Sequence, residues 1–242
     1  MDVNVLTVAG VSTIALKKLL GPSFDMLGKK LAFDLEKRYD NLNKIFQKAI
    51  DKNPEINFEK NEDGKSVNPR ILNDVIYEGS LCEEDIIQEY YAGILISSRS
   101  TNGEDDQMKY YTNILSSMSS YEIQLHYYLY YIFFKQCHGN NSNIGLSQEL
   151  NRLKITKQTN SVMKELSEYR TRLNINNIAN YMRCLFANSL IRNWQIDQDS
   201  FSFTPTITGI ILFAIANGFY DLNDEAYLLD QRTNNLSNLL SK

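Results

Sequence analysis

Three cysteines and two histidines in 242 residues are too few for several common chemistries. Cys82, Cys137 and Cys184 are widely separated and form no C-x-x-C pair, which excludes a disulfide framework and a zinc knuckle. Reduced thiols of a cytoplasmic protein are the expectation. His126 and His138 supply too few donors for a metal site. Cys137 and His138 are neighbours, so on a helix their side chains diverge by about 100° and make no thiolate pair. No glycine-rich phosphate loop, G-x-S-x-G or H-E-x-x-H is present. The acidic clusters Glu83 to Asp85 and Glu104 to Asp106 fall at a helix start and in a loop, where capping and solvation explain them. The residues therefore predict no enzyme, no cofactor and no metal.

A long apolar run is also lacking. The stretch from Val3 to Leu20 has no basic residues ahead of it, is interrupted by Thr7, Gly10, Ser12 and Thr13, and meets Lys17 and Lys18 before reaching the ~20 residues of a spanning helix. No membrane spanning is expected, although such a segment can lie on a membrane surface or in a partner's groove. A net charge of -4 and a pI near 5.3 argue against nucleic-acid or anionic-membrane binding by the chain as a whole.

What the chain does contain is helical periodicity. The segment Asn68 to Ser100 reads as a helical hairpin, residues 69–98, around which the rest is organised. Ile71, Leu72, Val75 and Ile76 share one face behind Pro69, and Gly79 ends that helix. Ser80 and Glu83 have capping-box spacing ahead of a second stripe, Ile86, Ile87, Tyr90, Tyr91, Ile94 and Leu95. Upstream, Phe24, Leu27, Leu31, Leu35, Tyr39, Leu42, Ile45, Phe46 and Ala49 mark one long amphipathic helix. Residues 51–68 read as a linker. Downstream, a short helix covers Met108 to Met118, and a second capping box, Ser119 and Glu122, opens an aromatic helix over 119–137.

That helix carries aromatics on nearly every face. Tyr121, Leu125, Tyr128, Leu129 and Ile132 make one stripe; Tyr127, Tyr130, Tyr131, Phe133 and Phe134 fall elsewhere. It is either enclosed by the fold or shared with another chain. Exposure would leave a patch larger than monomers tolerate, so self-association as a homodimer through Tyr121 to Phe134 is an expectation. Tyr127, Tyr130, Tyr131 and Phe134 are the candidate protein-interaction residues, since tyrosines desolvate much area while losing little rotamer freedom.

His138 to Gly145 reads as a loop, separating a helical lobe, 1–145, from a second lobe, 146–242. Between Asn151 and Asn193 eight basic residues stand against Glu165 and Glu168, a local excess of six in an acidic chain. The order there is that of a winged helix: a helix near Ser161 to Arg172, another from Asn174 to Asn188, a hairpin of Trp194 and Ile196 with Phe201 and Phe203, then a closing helix predicted to start at Thr204 and Pro205. A leucine-spaced acidic tail follows from Phe219. The predicted fold class is all-α with one small β-hairpin, a helical lobe followed by a winged-helix-like lobe. As a DNA binder the second lobe would set residues 174–188 in the major groove, with Lys164, Arg170, Arg172, Arg183 and Arg192 as its cations within the basic segment 151–193. As a protein-interaction module it needs none of them.

The N-terminal LLGPSFDMLGKKL, the hairpin's EDIIQEYYAGILISS, and MRCLFANSLIRNWQ with FSFTPTITGIILFAIANG together resemble the Abi-alpha family of bacterial abortive-infection proteins. Tyr91-Ala92 stands where that family usually has Trp-Ala, and the family's frequent late cysteine is missing. The resemblance implies a role in antiphage defence, with no catalytic residues to carry over. A protein partner of phage or host origin is then expected.

Overall fold

The computed structural model describes residues 23–53, 64–138, 153–167 and 174–218. The run Val3 to Leu20, most of the linker, the loop after His138, Arg152, Arg170, Arg172 and the tail from Phe219 lie outside the described residues. Helix α1 (Ser23–Lys52) is the long amphipathic helix that the periodicity predicts. Strand β1 (Lys65–Val67) leads into α2 (Pro69–Asp74), where the Asn68 side chain accepts from the Arg70 N–H and Pro69 takes the first turn. Helix α2 runs on as a π-helical turn, Val75–Gly79. Helix α3 (Asp85–Ser97) follows, and β2 (Arg99–Thr101) returns antiparallel to β1.

Helix α3 is the centre of the molecule, and every residue from Ile86 to Ile96 is buried. It packs against α1 and against α4 (Met108–Ser117), α5 (Ser120–His138) and the last described helix, α8 (Ile207–Ala216). Its crossing with α8 is close because Gly93 has no side chain: a Cβ there would lie 1.9 Å from the Ile215 carbonyl oxygen. Burial of Glu89 in such a helix needs compensation, and Lys48 and Lys52 of α1 both reach its carboxylate, Lys48 at 2.6 Å. These ion pairs fix the rotation of α1 about its axis.

The sheets exceed the single hairpin predicted. Besides β1 and β2, a three-stranded antiparallel sheet forms from β3 (Ile155–Gln158), β4 (Ile191–Ile196) and β5 (Ser200–Pro205) in the order β3-β5-β4. Helices α6 (Thr159–Ser167) and α7 (Ile175–Ala187) lie between β3 and β4 in the chain. Pro205 is a strand residue opposite Ile191, so the closing helix is capped by Thr206, whose side chain accepts from the Gly209 N–H, and not by Thr204. Ser80 likewise caps nothing: its hydroxyl donates to the Tyr77 carbonyl, while Glu83 pairs with Lys37 of α1. The capping box at Ser119 and Glu122 is present in both directions. Buried residues on both sides of residue 145 join one apolar cluster, because α5 and α8 pack together. No helix among the described residues is long and apolar enough to cross a membrane.

Candidate functional site

The aromatic helix α5 is enclosed. Tyr127 and Tyr130 are 0% exposed and Phe134 is 1% exposed, which corrects the expectation that they offer a docking surface. Tyr131 is half-buried, with the Lys135 ammonium 5.8 Å from its ring centre. Phe134 stacks on Phe213 of α8 at 5.2 Å between ring centres, and Tyr127 and Tyr130 also contact that ring. Tyr121 stays 38% exposed and stacks on Tyr181, but the stripes from Leu125 to Phe134 are largely taken up by the chain's own elements, so those aromatics need no second copy to leave water.

The phenol tips follow the same logic, since a buried hydroxyl must find a partner. Tyr130 donates to the Leu190 carbonyl and accepts from the Thr206 N–H at 3.0 Å, joining α5 to the start of α8. A Cβ on Gly209 would lie 2.0 Å from that hydroxyl, so only glycine admits it. Tyr127 donates to Asn217. Tyr128 donates to Glu165 at 2.8 Å, where Lys157 and Ser161 also bind; partial burial pushes the Glu165 carboxyl up, but these bonds hold it below the usual range. Tyr90 and His126 Nδ1 lie 2.5 Å apart within the core. Burial drives the His126 pKa down to about 3, and its Nε2 faces the Gly209 backbone without closing a well-formed hydrogen bond. A neutral imidazole so enclosed is a packing group. Phenylalanine at Tyr130 should strand the Leu190 carbonyl and the Thr206 N–H and cost about 2 kcal/mol. An unchanged urea midpoint would contradict this account of the joint.

The surface of the C-terminal half is different. Helix α7 buries Ile178, Met182 and Leu185 and turns Asn176, Asn180, Arg183, Cys184 and Phe186 outward. Phe186, which periodicity assigns to the apolar stripe, is 53% exposed. Arg183 donates to Asn180 at 2.7 Å. At the turn between β4 and β5, Asp197 accepts from the Ser200 and Asp199 N–H groups and from Gln195. Those bonds, Ser200 first, hold its carboxyl below the usual range, and Asp199 stands exposed beside it at the tip. Of the sequence-predicted cations, Lys164 is exposed on α6 and Arg192 is half-buried on β4. Lys157, which adds to the basic count, is neutralised by Glu165. The local excess of positive charge is thus divided among separate elements. Phe186 and the aspartate tip are the surface features that sequence reasoning missed: an i, i+3, i+4 pattern does not show where a stripe ends, although the D-x-D of the turn was readable.

No protein-family model, curated protein or solved structure matches this chain. Among the described residues no group of three or more His, Cys, Asp or Glu side chains is placed to hold a metal ion.

Proposed function

We propose that this is a cytoplasmic, non-enzymatic protein of bacterial antiphage defence, of the abortive-infection type, which acts by contact with a phage or host protein. The process is supported by the resemblance to the Abi-alpha family. The mode of action is supported by the surface that α7 and the β4-β5 turn present. The winged-helix reading of the C-terminal half is supported by the chain order α5, β3, α6, α7, β4, β5 and the sheet order β3-β5-β4; in that reading α7 takes the recognition position and the turn between β4 and β5 is the wing. The observation that carries the protein-contact reading is the chemistry of that face. It offers amides, an exposed Phe186 and one arginine tied to its neighbour, and the wing tip is acidic. Phosphate backbones repel such a tip, whereas an exposed aromatic on a helix that also presents amides suits a protein surface.

Cells carrying the gene are expected to plate phage less efficiently than cells with empty vector, for at least part of a broad phage panel. Phe186→Glu, which changes an exposed side chain, should abolish protection without changing the melting temperature. Undiminished plating of every phage with the protein expressed would refute the role; full protection by the variant would refute the surface. The second reading, a DNA-binding regulator, is favoured by the basic residues Lys164, Arg170, Arg172, Arg183 and Arg192. It requires binding to random duplex at low salt, weakening steeply as salt rises. Absence of binding at low salt ends it.

A further inference from the structure

We propose that the outward face of α1 is a homodimer seam, on which a second copy of this chain lays its own α1. At about 100° per residue, the apolar residues of α1 from Leu35 to Ile50 spread over an arc of about 140°, and Phe33, which is also exposed, lies outside it. The body covers only part of it. Asn41, Ile45 and Ala49 are buried against the fold, while Leu35 is 40% exposed, Tyr39 66%, Phe46 38% and Ile50 40%. With the half-buried Leu42 these fall within an arc of about 80°.

Leu35, Tyr39, Leu42 and Phe46 are spaced by four, three and four residues, the alternation that keeps one seam facing a partner helix. The helix cannot turn to bury them. Lys48 and Lys52 are held on Glu89, and the Asn41 amide donates to the Ser80 carbonyl at 2.9 Å, all on the inward face. Every residue from Phe33 to Asp40 is exposed, with Lys37 paired to Glu83 of the body, so this end of α1 is only lightly covered and leaves room for a second helix alongside.

The size of the stripe suits a second copy. Its side chains leave on the order of 450 Å² open per chain, at the upper range of what a monomer exposes in one patch. That is over half of the ~800 Å² per partner in a stable interface, and the stems of Glu36, Arg38 and Asn43 flank it to supply more. In a two-fold pair each chain both offers and receives the same stripe, so one surface closes the assembly. The expected self-association thus moves from α5, which is enclosed, to α1, and it does not depend on the partner surface proposed for α7.

Sedimentation of the full chain between about 1 and 100 μM should show a monomer-dimer equilibrium. Tyr39→Glu with Phe46→Glu should weaken dimerisation at least tenfold and leave circular dichroism and melting of the monomer unchanged. Amide exchange in residues 33–46 of the unaltered chain should slow as concentration rises, a readout that does not depend on the variant folding. A monomer throughout the range, or a dimer indifferent to the double substitution, would overturn the proposal. So would a monomer whose melting temperature falls on substitution, because that result would show another part of the same chain covering the stripe.

Discussion

Gly93→Ala is expected to lower the melting temperature by about 10 °C, through a loss of about 3 kcal/mol or more. A single methyl would ordinarily favour a helix interior, since alanine is the best helix former and glycine is disfavoured there by about 1 kcal/mol. Here the crossing of α3 and α8 reverses the sign. The added Cβ would stand 1.9 Å from the Ile215 carbonyl oxygen and 2.6 Å from its carbon, and neither atom belongs to a side chain that can rotate away. Relief requires the two helices to separate, which opens the cluster formed by Tyr90, Ile94, Tyr127 and Phe213. Calorimetry or urea denaturation of the variant checks this. A melting temperature equal to or above the parent's would mean that the crossing is looser than described.

Acid should weaken the fold through His126. Its imidazole stays neutral in the folded chain down to about pH 3, because burial disfavours the charged form, whereas an unfolded chain takes up the proton near pH 6.5. The stability that depends on the neutral ring is therefore present in full above about pH 6.5 and declines as pH falls through the window toward 3. The slope is about 1.4 kcal/mol per pH unit, so the loss from this group is about 2 kcal/mol at pH 5 and about twice that near pH 3. His126→Gln removes the titration while keeping a polar group beside Tyr90. The test is the difference in unfolding free energy between pH 7 and pH 5, which should shrink by about 2 kcal/mol in the variant. Glu165, whose carboxyl is held below its usual range, loses its contribution only as pH falls below the ordinary carboxylate range, so it does not mask the comparison at pH 5. Equal pH dependence in parent and variant would show that His126 is reached by water or by a proton-accepting partner.

The helices were legible because their signals are local. Three-and-four spacing from Phe24 to Ala49, the Pro69 start, the Ser119 and Glu122 capping box and the alternation around Gln198 all depend on residues within one or two turns of each other. The same local signals erred where a distant strand intervened: Pro205 looks like a first helical residue, yet pairing with Ile191 draws it into β5. Strand β3 was missed for the same reason, since four residues from Ile155 to Gln158 become a strand only when Phe201 and Phe203 lie beside them. Tyrosine content showed that α5 would need partners on several sides, and left open whether these were its own chain or another.

By itself the sequence determined that this is a helical chain with few cysteines and histidines, a central apolar hairpin and an aromatic helix that cannot stay exposed. Only the tertiary structure decided which surfaces remain outside. Tyr127, Tyr130 and Phe134 went inward because Phe213 of α8 and Phe203 of β5 supply rings for them and Leu190, just ahead of β4, a carbonyl; Phe186, Tyr39 and Phe46 stayed exposed because no described element covers them fully. Hydrophobicity sets the tendency to leave water, but the element that covers a given face comes from elsewhere in the chain.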